Sequence, residues 1–126
     1  MSGSRLLLDT NAVVLLLRGE GGLEDSLRSA QWVGISIVSY LEFLSFPRLV
    51  AQDRVLFAEF CERVETVGLA MSDVDLIDAA VRIRRETKLR LPDAVVAATA
   101  LARNATLVTA DGDFDKVADL VVSKLP

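Results

Sequence analysis

Leu6-Leu7-Leu8-Asp9-Thr10-Asn11 is the stretch on which the fold turns: an apolar run of strand length ends on a carboxylate, and polar residues suited to a helix start follow at once. The same juxtaposition recurs further along. Glu42 stands in Ser39-Tyr40-Leu41-Glu42, Asp93 in Leu91-Pro92-Asp93-Ala94, and Asp111 and Asp113 in Leu107-Val108-Thr109-Ala110-Asp111-Gly112-Asp113-Phe114. Carboxylates are costly to desolvate, so a chain this apolar should not place them beside its core without compensation. A shared Mg²⁺ or Mn²⁺ is such compensation, because these hard cations take oxygen ligands.

Outward from Asp9, strands and helices alternate. Residues 5–8 form a first strand, and Thr10 and Asn11 cap a helix to about Arg18, closed by Gly19. A short helix is expected over 23–30 and a second strand over 34–37. Ser39 and Glu42, three apart, have capping-box spacing at the start of the next helix. Residues 52–64 carry the helical stripe Phe57/Phe60/Cys61/Val64, and 66–69 read as a third strand. Ser72-Asp73 caps a helix to about Thr87, with Val74, Ile77 and Val81 on one side. Pro92 suits the first turn of a nearly all-apolar helix from Asp93 to Arg103. Strands over 106–109 and 120–122 complete the series.

This alternation implies right-handed crossovers and an α/β fold, a central, mostly parallel sheet of about five strands covered on both faces. In such sheets ligands sit beyond the carboxyl ends of the strands, where Asp9 and Asp111 fall. The 126 residues suffice for one domain, 1–126. Met1-Ser2-Gly3-Ser4 has the look of a cloning remnant and is left outside the fold.

Composition narrows the chemistry. The chain has no His and a single Cys, Cys61, which excludes Ser-His-Asp triads, His-based ribonuclease chemistry, His-ligated zinc and an internal disulfide. Cys61 lies in a helical apolar stripe and reads as a buried structural thiol. The hydrophobic fraction is 52%, above the roughly 45–50% of average domains, and mean hydropathy is +0.39. That surplus suggests a second subunit or partner, expected on the apolar segments 13–17 and 41–49. A net charge of −4 argues against tight nonspecific nucleic-acid binding, yet carboxylates clustered for a metal become cation-binding once loaded. With no leader and no apolar run of about 18 residues, the cytoplasm is the expected location.

These motifs, taken in order over essentially the whole chain, resemble the PIN-domain family, and most of all the VapC-type toxin ribonucleases of toxin–antitoxin pairs. The resemblance is carried by Leu-Leu-Asp9-Thr10-Asn11, the helical Glu42, Leu91-Pro92-Asp93-Ala94-Val95-Val96-Ala97-Ala98-Thr99-Ala100, and Leu-Val-Thr109-Ala-Asp111-Gly-Asp113-Phe114. It implies a three-layer α/β/α fold, one or two Mg²⁺ or Mn²⁺ ions, cleavage of single-stranded RNA, inhibition by a cognate antitoxin, and commonly a homodimer. Asp9, Glu42, Asp93 and Asp111 then become the catalytic metal ligands. The family's last acidic position falls on Asp111 or on Asp113; Asp111 follows the strand directly and is preferred, with Asp113 auxiliary.

Each residue has a plainer reading beside this one. Glu42 serves a capping box, Asp93 favours a helix N-terminus, and Asp111-Gly112 is an ordinary turn. Thr10, Asn11 and Thr109 suit hydrogen bonds that orient carboxylates, while simple capping accounts for the first two as well. The basic cluster Arg82/Arg84/Arg85/Lys88/Arg90 reads as a solvated face, with an RNA-backbone contact as the alternative. A phosphoacceptor module fits poorly, since Asn11 stands where a haloacid-dehalogenase-type phosphatase needs a second Asp. The rival from another class is a PIN-like module that binds RNA or protein without cutting.

Overall fold

The computed structural model describes residues 4–126; Met1-Ser2-Gly3, most of the expected remnant, lies outside the described residues. Ser4 belongs to the fold, since its carbonyl accepts from the Gln31 N–H at 2.7 Å. The elements run β1 (Arg5–Leu8), α1 (Thr10–Leu17), α2 (Glu24–Ser29), β2 (Trp32–Ser36), α3 (Ile37–Leu44), α4 (Ala51–Arg63), β3 (Glu65–Val67), α5 (Val74–Thr87), α6 (Leu91–Ala102), β4 (Thr106–Thr109), a 3₁₀ turn (Gly112–Lys116) and β5 (Val122–Lys124).

The five strands form one sheet in the order β3-β2-β1-β4-β5, and every pairing is parallel. The chain steps from β1 to β2 to β3 in one direction, then crosses back to β4 on the far side of β1. Right-handed crossovers require the helices to change face at that reversal. They do. Leu6 and Leu8 point into a core with Ala12, Val13, Phe43 and Phe57 from α1, α3 and α4, whereas Leu7 joins Leu76, Ile83 and residues of α6 on the opposite face. The expected three-layer α/β/α architecture is therefore present, with the sheet parallel throughout.

The two outer layers are built differently. On the first face aromatic rings fill the space, with Phe43 stacked on Phe57 at 4.1 Å between centroids. On the second, α6 is an interior rod: Ala94 to Ala100 are all buried, between the sheet and α5. A helix that is apolar all round is a buried helix, and its small side chains let the backbones approach closely.

Local differences from the sequence reading have specific causes. α3 begins at Ile37 and is capped by Ser36, whose hydroxyl accepts from the Val38 N–H at 3.0 Å. No Ser39–Glu42 capping box forms, because Ser39 already lies inside the helix and Glu42 bonds elsewhere. On α5 the inward stripe is Leu76/Ala80/Ile83, while Val74 and Val81 are exposed. The i, i+3, i+7 spacing of Val74, Ile77 and Val81 also fits a helix, but the larger buried set wins the inner face. β5 lies two residues later than expected, at Val122–Lys124. Cys61 is half-buried rather than buried, at the edge of the aromatic layer. Within 13–17 and 41–49, Val13 and Phe43 belong to the core, and Leu41 and Phe46 are exposed. Among the described residues no helix is long and apolar enough to cross a membrane.

At the amino ends of the strands four side chains close a ring. The Arg5 guanidinium lies 4.8 Å over the Trp32 ring, the Trp32 indole donates to Glu65 at 3.0 Å, Glu65 pairs with Arg103 at 3.2 Å, and Arg5 Nε donates to the Arg103 carbonyl at 2.7 Å. Trp32 lies flat across Gly34, so a Cβ there falls 2.3 Å from the indole and 3.0 Å from the Glu65 carbonyl. Gly34→Ala is therefore expected to lower stability by about 1–3 kcal/mol, the usual range for overpacking, measurable by urea denaturation. Unchanged stability would mean that the ring does not fix the indole.

Candidate metal centre

Asp9 ends β1 and caps α1 with its own side chain, a task the sequence reading gave to Thr10 and Asn11. Its Oδ1 accepts from the Ala12 N–H at 2.9 Å, and its Oδ2 accepts from the Thr109 hydroxyl. The Asp9 N–H bonds the Val108 carbonyl at 3.1 Å, which carries the β1–β4 ladder one residue past the strand and brings Asp9 beside Thr109. This is the point where strand order reverses, β1 connecting to one side and β4 arriving from the other. Ligands of open α/β sheets gather at that crevice.

Three further acidic residues reach the same edge from different elements. Glu42, on α3, accepts from the Thr10 hydroxyl at 2.5 Å, tying α3 to the start of α1. Asp93 stands in the first turn of α6, just after Pro92, and faces Arg90, whose Nε is 3.9 Å from its Oδ2. Asp111 caps the 3₁₀ turn by accepting from the Asp113 N–H at 2.9 Å, and its own N–H donates to the Thr109 hydroxyl at 3.0 Å. Thr109 thus holds Asp9 and the Asp111 backbone with one hydroxyl. Asp113 is exposed and faces Lys116 at 3.7 Å. Asn11 is exposed, and no hydrogen bond engages its side chain among the described residues.

The electrostatics tie these groups together. Burial is the main cause that pushes the Asp9 carboxyl above its ordinary value, opposed by the Thr109 and Ala12 hydrogen bonds and aided by the charges of Asp111 and Glu42. Asp93 is also raised, again chiefly by desolvation; Arg90 opposes the shift, and Asp111, Glu42 and Asp113 add to it. Asp111 and Glu42 therefore act on both Asp9 and Asp93, and Asp113 adds to the effect on Asp93.

The donor set is all oxygen and of one sign, which is the chemistry of a hard dication rather than of zinc or a soft metal. Among the described residues no three acidic groups are gathered into one cation-sized cluster. Three of the carboxylates are instead engaged by protein groups: Asp9 by Thr109 and Ala12, Glu42 by Thr10, and Asp93 by Arg90. Arg90 is the participant missed in the sequence, because it was grouped with the arginines of α5. The three-residue spacing from Arg90 to Asp93 was the available signal. Ser39 Oγ is buried without a partner.

A raised folded pKa means that folding favours the protonated carboxyl. Its stabilising contribution is complete below the unfolded value near 3.8 and is lost as pH rises through the folded value. At neutral pH the metal-free protein therefore carries a penalty at Asp93. Asp93→Asn in chelator is expected to melt at an equal or higher temperature than wild type at pH 7, with the difference shrinking as pH falls toward 4. A lower melting temperature at pH 7 would contradict the clustering.

A PIN-domain family model matches residues 6–120. No curated protein sequence matches the chain significantly. Among solved structures, VapBC2 from Rickettsia felis bound to a DNA fragment from its promoter superposes with a TM-score of 0.80 at 20% identity, covering 96% of this chain and 98% of that one. VapBC-1 from nontypeable Haemophilus influenzae gives 0.76 at 19%, covering 94% and 96%. A toxin–antitoxin complex from Klebsiella pneumoniae gives 0.75 at 24%, covering 92% and 95%. At such identities the superpositions speak to the fold. The family match spans nearly the whole chain, and the chain belongs to the PIN-domain family.

Proposed function

We propose that this protein is a Mg²⁺- or Mn²⁺-dependent endoribonuclease that hydrolyses single-stranded RNA and acts as the toxin of a toxin–antitoxin pair. The observation that carries the reading is the convergence of Asp9, Glu42, Asp93 and Asp111 on the crevice where strand order reverses, with Glu42 and Asp111 close enough to act on both Asp9 and Asp93. Family membership and the likeness to toxin–antitoxin structures support it.

Asp9, Glu42, Asp93 and Asp111 are the groups that would hold the cation, directly or through water, with Asp113 available at the rim. A divalent cation held there would supply the chemistry of acidifying a bound water and offsetting phosphate charge. The chain's own residues supply the geometry. Thr109 fixes one oxygen of Asp9 and the Asp111 backbone, and Thr10 fixes Glu42. Both are neutral donors that leave lone pairs free on the carboxylates, the outer support that metal sites need. Glu42 is exposed and Asp93 and Asp111 are half-buried, so each is accessible enough to take a proton from an attacking water.

The partners that follow are the RNA substrate, a cognate antitoxin and a second copy of the chain. Exposed Phe46, with half-buried Val14, Leu17 and Leu49 lining one groove with it, and exposed Leu41 on the same helix as Phe43 offer the apolar surface for protein contacts.

Two measurements test this reading. Asp9→Asn and Asp93→Asn are expected to abolish Mn²⁺ binding by calorimetry. Their cleavage of a single-stranded RNA oligonucleotide should fall by more than the roughly 10–100-fold that outer partners of a metal site command. Wild-type turnover by either folded variant would sink the assignment, and RNA binding without metal binding in the wild type would favour a non-catalytic module. Light scattering is expected to give a mass above that of a 13.7 kDa monomer, changed by the product of the adjacent gene. A monomer indifferent to that product would remove the partner assignment.

A further inference from the structure

Of the protein groups that engage the site's carboxylates, one differs in kind. Thr10 and Thr109 are neutral, and a hydroxyl can stay on a carboxylate that also binds a cation. Arg90 carries a positive charge and stands against Asp93, so it and a dication are rivals for the same group.

The setting of Arg90 is fixed, while its side chain is free. Lys88 takes a left-handed conformation at φ 62° to end α5, Leu89 is buried with its carbonyl held by Arg84 at 2.6 Å, and the Arg90 carbonyl accepts from the Ala94 N–H at 2.9 Å. The backbone is thereby pinned at the entrance to α6. The side chain is 82% exposed, its contact to Asp93 is long, and that contact uses Nε. No hydrogen bond engages its guanidinium among the described residues, so the terminal nitrogens can take a phosphate in two-point fashion. The first turn of α6 has no side-chain cap and adds the positive end of the helix dipole at the same corner. Two nearby lysines, Lys116 and Lys124, face Asp113 and Asp115 on the 3₁₀ turn instead.

We propose that Arg90 is the resident counter-ion of Asp93 in the metal-free protein, and that the incoming cation displaces it onto a backbone phosphate of the bound RNA. Arg90 is thus a positioning residue that links metal loading to substrate capture. The inference rests on the carboxylate site proposed above. It also explains how an acidic protein gains affinity for a polyanion at the moment its site is loaded: one positive charge is released from Asp93 as two arrive.

The test compares wild type, Arg90→Gln and Arg90→Lys in two assays. In calorimetry with Mn²⁺ and no RNA, Arg90→Gln should bind more tightly by about three- to tenfold, the scale of one charge removed a few ångströms away in largely aqueous surroundings. Arg90→Lys should stay near wild type, since it keeps the charge. With a single-stranded RNA oligonucleotide at saturating Mn²⁺, Arg90→Gln should raise KM several-fold with kcat within about twofold, and should flatten the dependence of log KM on log salt by about 0.7, the share of one phosphate contact on a single strand. A merely structural role would lower metal affinity and kcat together and would not touch the salt slope. Unchanged or weaker Mn²⁺ binding by Arg90→Gln overturns the counter-ion role, and an unchanged KM and salt slope overturn the phosphate role. If the folded wild type and both variants bind no Mn²⁺ at all, the carboxylate site itself is wrong and this inference falls with it.

Discussion

The burial of Asp9 is the constraint on which the rest of this molecule depends. A carboxylate that is only 8% exposed, at the end of a central strand, needs donors on both oxygens, and the fold provides them from the backbone of α1 and from Thr109. Thr109 can reach it only because β4 is inserted next to β1 in parallel register, which in turn requires the chain to cross back over the sheet through α5 and α6. That crossing delivers Asp93 at the mouth of the same crevice. The reversal of strand order and the assembly of the acidic edge are one event.

The two ends of the sheet are held by opposite means. At the amino ends, Arg5, Trp32, Glu65 and Arg103 attract one another around a closed ring that ties together β1, β2, β3 and the end of α6. At the carboxyl ends like charges converge, and attraction comes from the hydroxyls of Thr10 and Thr109, the Ala12 and Asp113 N–H groups, Arg90, and Lys116 and Lys124 on the rim. The attractive ring thus lies at the opposite end of the sheet from the acidic groups that do not favour folding.

Much of this was legible from residues alone. Leu6-Leu7-Leu8 and Thr106-Leu107-Val108-Thr109 read as strands because unbroken apolar runs mark a sheet covered on both faces, and Asp9 and Asp111 fell at their ends for the same reason. Pro92 placed α6 because its fixed backbone suits a first turn. What escaped were details that only packing decides. Ser36 and Ser39 are equally good caps in isolation, and the choice between them rests on where β2 stops pairing with β1 and β3. The inner face of α5 was not decided by the sequence, because Val74/Val81 and Leu76/Ile83 both recur at helical spacing. Arg90 was hidden by its neighbours in sequence, since a run of cations looks like one surface until a turn separates its last member from the rest.

The seven consecutive buried residues of α6 have a bearing on how the family can diverge. Six of the positions 94–100 are Ala or Val and the other is Thr, and none of them has open solvent to grow into. A larger side chain at any of them pushes the rod away from the sheet, and the rod carries Asp93 at its tip. Variation that is harmless to the fold elsewhere would, on this helix, be felt at the acidic edge, which is at most about two turns away. Natural drift and laboratory selection alike should therefore find the interior of α6 nearly closed to change, and should accumulate their substitutions on α2, α4 and the outer face of α5.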